Sequence, residues 1–243
     1  MKAVTLERAA RSALDEVYDP ELDEPVTDLG FVRSVEATED GVVIVHLRLP
    51  TSFCSPNFAY LMAADAKDAL QRLDSVRRAV VFLDDHHDSD RINRGLAADA
   101  GYLGTFGPEA SEGLEELRLT FRRKAHTAAM ERALTELLRG DPRLTENDLH
   151  GVALGDLPEG RARDSLLRRR KALGLGVAPT ARVLVDDTGQ SYPKHELPVR
   201  LRYARSVRIS IDGNAHFCRG LLRTRYPGAE REQTPRAAEF DPQ

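Results

Sequence analysis

The sequence predicts an α/β (α+β) protein: a small αββαβ domain with helices packed on a short sheet, followed by a second mixed α/β unit of unknown fold. Two observations carry the first unit. Apolar residues recur at helical spacing in Leu6, Ala10, Ala13, Leu14 and Val17, and again in Phe58, Leu61, Met62, Ala66, Ala69, Leu70 and Leu73. Between these stretches Val43, Val45, Leu47 and Leu49 alternate, which places them on one face of a strand, and Ala79-Val80-Val81-Phe82-Leu83 follows as a short strand-forming run. A third observation separates the units: residues 1–100 hold 11 Lys and Arg against 19 Asp and Glu, whereas the remainder holds 24 against 20.

The first helix covers about residues 4–17 and ends before Asp19-Pro20, because proline disfavours helical geometry in its predecessor. After the Asp19-Pro20-Glu21-Leu22 turn, Gly30 introduces a strand over residues 31–36. Gly30 itself meets a backbone requirement, either positive φ or close approach. Glu39-Asp40-Gly41 then separates that strand from residues 42–49, and the two read as a hairpin. Pro56 fits the first position of the second helix, with Ser55 as its N-cap.

The first unit spans residues 1–88. Residues 89–112 read as a linker, with a short helical stretch near 91–100 and a glycine-rich segment after it. The extension, 113–228, opens on the alternating Leu117, Leu119 and Phe121, a predicted strand. A helix then runs through Met130, Ala133, Leu134, Leu137 and Leu138 to Gly140-Asp141-Pro142. Thr145-Glu146-Asn147-Asp148 marks another helix start, and a basic helix covers about 159–173. Residues 181–185 are a predicted strand, and period two in Val199, Leu201, Tyr203, Val207, Ile209 and Ile211 predicts more, followed by a helix over 213–226. One helix over 200–225 is the alternative. The polar, proline-bearing stretch 229–243 reads as a disordered tail.

Composition narrows the function classes. Mean hydropathy is −0.42 and no apolar run approaches ~18 residues, so neither a membrane span nor a secretory signal is supported and a cytoplasmic setting is expected. Two cysteines, 164 positions apart, make no disulfide framework. Arg161, Arg163, Arg168, Arg169, Arg170 and Lys171 form the strongest basic cluster. It reads as a solvated helix face or a docking surface for an acidic partner, since nucleic-acid binders interleave aromatics and carry a concentrated basic face.

Cys54 is the residue with the most chemistry. It sits where a strand gives way to a helix, and a thiol just outside a helix N-terminus is poised to become a thiolate that ligates metal or attacks an electrophile. A buried structural cysteine is the alternative. In Asp84-Asp85-His86-His87-Asp88, His86 and His87 are metal-competent beside carboxylates, against a solvated acidic loop. His216 and Cys218 lie two apart and would point to different faces of a helix; packing near Leu221 and Leu222 is the other reading of Cys218.

Taken together, Asp19-Pro20-Glu21-Leu22, Asp28-Leu29-Gly30-Phe31-Val32, Thr51 and Cys54 resemble the iron-sulfur cluster assembly domain family of the MMS-nineteen-interacting protein, with its PaaD-like and SufT-like members. The resemblance covers about residues 4–84. It departs at Pro56, since many relatives place proline directly after the cysteine. It implies an accessory factor, rather than an enzyme, for iron-sulfur cluster assembly or transfer or for metalloenzyme maturation. Cys54 would be a transient ligand of iron or of an iron-sulfur cluster. A lone cysteine cannot close a cluster site, so the implied partner is a client metalloenzyme, the assembly machinery or a second copy in a homodimer.

Beside that resemblance, Asp19 and Glu21 flank a proline that stiffens their turn, where they either display carboxylates or serve turn chemistry. Asp28 either caps or faces the Cys54 pocket, and the Thr51 hydroxyl either donates to the sulfur or packs the loop. The rival functions are a non-catalytic interaction protein binding a metalloenzyme such as an oxygenase component, and a thiol-dependent enzyme pairing Cys54 with a base such as His46.

Overall fold

Alternation along Val42–Arg48 makes that segment the middle of a three-stranded sheet. The computed structural model describes residues 3–110 and 113–234. The chain divides into two units, one of residues 1–114 with 214–243 and the other of residues 115–213.

In the first unit, β1 (Tyr18–Asp19) and β2 (Glu24–Pro25) pair antiparallel across the Asp19–Glu24 turn. β3 (Val32–Ala37) and β4 (Val42–Arg48) form the expected hairpin, with an irregularity between Val32 and Ser34. β5 (Arg78–Asp84) joins β4 in parallel, giving the order β3-β4-β5. A parallel neighbour requires a crossover, and α2 (Pro56–Gln71) supplies it. α1 (Ala3–Leu14) packs on β3, β4 and α2 through Leu6, Ala10 and Leu14, which meet the buried face of Val43, Val45 and Leu47. Pro56 occupies the first turn of α2, as its fixed φ and missing N–H favour.

Residues 89–110, expected as linker, instead carry α3 (Ser89–Ala97) and α4 (Gly101–Phe106). Ile92, Leu96 and Phe106 are buried in the first unit's core. Arg91 donates to the carbonyls of Thr105 (3.0 Å) and Phe106 (2.6 Å), and Gly95 makes room for Thr105, whose Oγ1 would lie 2.0 Å from any Cβ at that position. In the glycine-rich segment Gly101 and Gly107 take positive φ, +67° and +57°, and serve the chain's turns.

The second unit is helical, which corrects the mixed α/β expectation for the extension. Leu117, Leu119 and Phe121 lie within α5 (Leu114–Gly140), not on a strand. Leu117 and Phe121, four apart, share a helix face while Leu119 is 38% exposed on another, and a run of 27 residues is helical in scale. The period-two stretch 199–211 falls in α7 (Leu197–Arg225), the single-helix alternative. Here the buried residues are Leu197, Leu201, Ala204 and Ile211, at helical spacing, while Val199, Tyr203 and Ile209 are 53%, 57% and 54% exposed. Exposed apolar residues had mimicked the strand pattern. Residues 181–185 contribute only the isolated bridges Ala153↔Arg182 and Val185↔Ser191, because Pro179 and the turn at Gly189 leave no length for a ladder. The helix start at Thr145 is a 3-10 turn, Glu146–Gly151, with Thr145 and Asp148 in a capping box. In α6 (Arg161–Ala172), Arg169 and Arg170 are buried; Arg170 donates to the carbonyls of Gly176 (2.8 Å) and Arg182 (2.9 Å), so the basic cluster is not one solvated face.

Residues 214–234 belong to the first unit. The Arg219 guanidinium is buried, pairs with Glu24, and donates to the carbonyls of Asp28 (2.9 Å) and Thr234 (3.1 Å). Gln233 donates to Leu29 O (3.3 Å) and Thr234 to Asp28 Oδ1 (2.8 Å). Arg48 donates to Gly30 O (3.2 Å), pairs with Glu232 and lies over the Tyr226 ring. Residues 229–234 are therefore bound, with a 3-10 turn at Ala229–Glu232. The remainder of the expected tail, 235–243, lies outside the described residues.

Removing one member of a buried ion pair strands its partner, which costs about 3–5 kcal/mol. Arg219→Ala is expected to lower the denaturant unfolding free energy of the full chain by that amount, as the buried Glu24 loses its guanidinium. A change under about 1 kcal/mol would contradict this role.

Candidate functional site

Cys54 lies on the loop between β4 and α2, where Leu49-Pro50 ends the strand and Pro56 begins the helix. Its sulfur is 3.3 Å from Thr51 Oγ1, and the same hydroxyl accepts from Phe53 N at 3.3 Å. The loop is braced from the β5–α3 connection. His86 is buried, its Nε2 is 2.8 Å from the Cys54 carbonyl, and its Nδ1 accepts from Asp88 N at 3.1 Å. This arrangement fits the neutral imidazole with the proton on Nε2. His87 N donates to Ser52 O at 2.9 Å, and the His87 ring rests against Phe53, ring centroids 5.9 Å apart. Phe53 itself is 79% exposed at the loop tip.

Asp19 Oδ1 accepts from the backbone N–H of Glu21 and Leu22, both at 2.8 Å, so this buried carboxylate is spent on the turn. Glu21 is exposed and accepts from Asn214 at 3.3 Å. Gly30 satisfies both of its expected requirements. Its φ is +75°, and an added Cβ would lie 2.9 Å from Gln233 Cγ and 3.3 Å from Leu222 Cδ2.

α7 brings Cys218 to this side of the first unit. Cys54 and Cys218 are both free, both half-buried, and both packed against the same apolar cluster. Burial pushes the Cys218 thiol up to about 12.

The comparisons with known proteins concern this same unit. A family model described as iron-sulfur cluster assembly protein matches residues 7–81. An uncharacterised protein of Methanocaldococcus jannaschii is 32% identical over 85 residues, 35% of this chain and 87% of that protein. The chain belongs to the iron-sulfur cluster assembly protein family. The iron-sulfur cluster carrier protein of Mycobacterium tuberculosis is 45% identical over 49 residues, 20% of this chain, and the match spans only 13% of the carrier's own length. A solved domain of unknown function from Bacillus anthracis aligns over 41% of this chain and 94% of that one, at 22% identity and a TM-score of 0.33.

Within the family domain, Thr51 and Cys54 are brought together, while Asp19 supports the turn rather than displaying a carboxylate. Asp28 holds Thr234 instead of facing the cysteine loop. His86 and His87 order that loop through its backbone and Phe53. His216 is exposed on α7, two residues from Cys218 and on another face. His46 is engaged by Asp84 (2.9 Å) and stacked on Phe82, with ring centroids 5.0 Å apart, on the sheet. Among the described residues no group of three or more His, Cys, Asp or Glu side chains is arranged to hold a metal ion, and no helix is long and apolar enough to cross a membrane. Sequence reasoning missed Glu24 and Arg219, whose pairing spans 195 positions and leaves no local signal.

Two expectations follow. Burial pushes the Asp19 carboxyl from 3.8 up to about 7, although its two backbone donors favour the carboxylate. Between those values the folded chain holds a proton that the unfolded chain has released. The carboxyl's contribution to stability is thus complete below about 3.8 and is lost as pH rises through about 7. Asp19→Asn keeps an acceptor for both N–H groups and should remove this component of the Tm–pH slope; an unchanged slope would contradict it. Separately, His86→Ala should cost about 1–3 kcal/mol by stranding the Cys54 carbonyl, and should speed alkylation of Cys54 measured residue by residue in the mass spectrometer. An unaltered alkylation rate would remove His86 as the brace.

Proposed function

We propose that the chain is an accessory factor in iron-sulfur cluster handling and metalloenzyme maturation, with Cys54 as a transient ligand of iron or of a cluster edge. The observation that carries this reading is the Cys54 loop. A free, half-buried thiol stands on a backbone held by His86 and His87, with the Thr51 hydroxyl at its sulfur. Thiolate sulfur suits iron and its clusters, and the Thr51 hydroxyl lies 3.3 Å from this sulfur.

Cluster iron is normally held by several thiolates. Cys54 therefore shares its cargo with donors that arrive with a client, with the assembly machinery or with a second copy. Shared coordination makes release easy, which favours handover over storage. The exposed Phe53 gives an incoming partner an apolar contact directly beside the sulfur. Work in the cytoplasm accords with this role.

Anaerobic reconstitution with iron and sulfide tests the proposal. The wild-type chain is expected to retain iron and acid-labile sulfide through gel filtration, and Cys54→Ser to lose most of both. Equal retention by the two proteins would sink the ligand role and leave the alternative in which the domain only binds a metalloenzyme partner.

A further inference from the structure

We propose that Arg225 and Tyr226 are positioning residues for the Cys54 loop, a clasp from outside the family-matched residues 7–81 that ties together the two strand ends from which the site is built. The bearing of the clasp on cargo rests on the reading of Cys54 as a ligand, whereas its hold on the loop does not.

The sheet dictates where the clasp acts. β4 and β5 run parallel with Arg48 opposite Asp84, so Leu49 and Asp85 are the first residues past two adjacent carboxyl ends. Leu49 leads into the Cys54 loop, and Asp85 leads into the brace formed by His86 and His87. The Arg225 guanidinium spans both exits. Its Nη1 donates to Leu49 O at 3.1 Å and its Nη2 donates to Asp85 O. A rigid planar fork sets the spacing of two carbonyls, which a single flexible donor does not. The Tyr226 hydroxyl adds a third tie, donating to Asp85 Oδ2 at 3.0 Å.

Asp85 is where that support is needed. Its φ is +54°, a left-handed conformation that costs free energy in a residue with a side chain and persists where the surroundings over-determine it. This reversal sets the course of the next two residues, which bring His86 Nε2 to Cys54 O at 2.8 Å and His87 N to Ser52 O at 2.9 Å. Arg225 holds the Asp85 main chain and Tyr226 holds its side chain, so loss of either grip frees the root of the brace. Burial pushes the Tyr226 hydroxyl up to about 12, and its bond to Asp85 adds to the rise, which keeps it a donor at neutral pH. The guanidinium carbons of Arg48 and Arg225 lie 5.1 and 5.2 Å from the centroid of the Tyr226 ring. These contacts seat the ring without its hydroxyl, so Tyr226→Phe removes one tie and leaves the packing in place.

Amide hydrogen exchange of the full chain, with no iron added, tests the clasp at His87 N–H. The Gly41 N–H, bonded to Thr38 O in the β3–β4 turn, serves as the remote control. Tyr226→Phe should raise His87 exchange about tenfold, as loss of one hydrogen bond shifts a local opening equilibrium, and Arg225→Ala should raise it further, with Gly41 unmoved in both. Asp85→Asn keeps an acceptor and a residue suited to positive φ, and should stay within about twofold of the wild type. A contact that only stabilises the fold would lower the unfolding free energy and leave His87 exchange where it was; that result in Tyr226→Phe and Arg225→Ala overturns the proposal. Retention of iron and sulfide after anaerobic reconstitution separates the two readings. If His87 responds as expected while the wild type and Cys54→Ser retain iron equally, the clasp stands and the ligand role fails. If Cys54→Ser loses its iron and His87 exchange is unmoved in the clasp variants, the ligand role stands and the clasp is wrong.

Discussion

The buried contact between Arg219 and Glu24 is the constraint on which the site depends. Each partner alone would be a costly buried charge, and together they fix one turn of α7 on the β1–β2 turn. Because the same guanidinium also holds the carbonyls of Asp28 and Thr234, the chain's last described residues close over the Asp28-Leu29-Gly30 segment. The absence of a side chain at Gly30 is what admits Leu222 and Gln233 to that surface. A feature that looks like a turn requirement in the family domain is thus also a seat for a segment some 190 residues away.

Around Cys54 the protein invests in backbone order more than in ligands. His86 and His87 bind main-chain groups of the cysteine loop, and Asp19 binds main-chain groups of its own turn. The His86 imidazole and the Asp19 carboxyl, which a sequence inspection would enrol as metal ligands, are thereby committed to holding the loops still. This leaves the sulfur with Thr51 on its own loop. A site built in this way is ordered, and the transient role proposed for Cys54 relies on ligands brought by a partner.

The first unit was legible in the sequence because its periodicities are clean. Val43, Val45, Leu47 and Leu49 are all buried, and Leu6, Ala10 and Leu14 form the facing stripe. The second unit was not, because Val199, Tyr203 and Ile209 are apolar yet exposed and produced an alternation with no strand beneath it. Cys54 and Thr51 could be paired from their spacing of three. The position of Cys218 could not, since it follows from tertiary contacts of Asn214, Arg219 and Leu222 that no local pattern encodes. Likewise, the two histidines after β5 advertise metal chemistry by composition, and only the location of their backbone partners reveals them as braces.

The central claim is that the Cys54 sulfur contacts the cargo, and a thiol footprint tests it without altering the chain. Full-length protein loaded anaerobically with iron and sulfide, and the same sample stripped by a chelator, would be alkylated briefly and compared by peptide mass spectrometry. The account predicts that Cys54 is protected in the loaded protein and modified once the iron is removed. Equal modification of Cys54 in both samples, with iron still bound in the first, would contradict it.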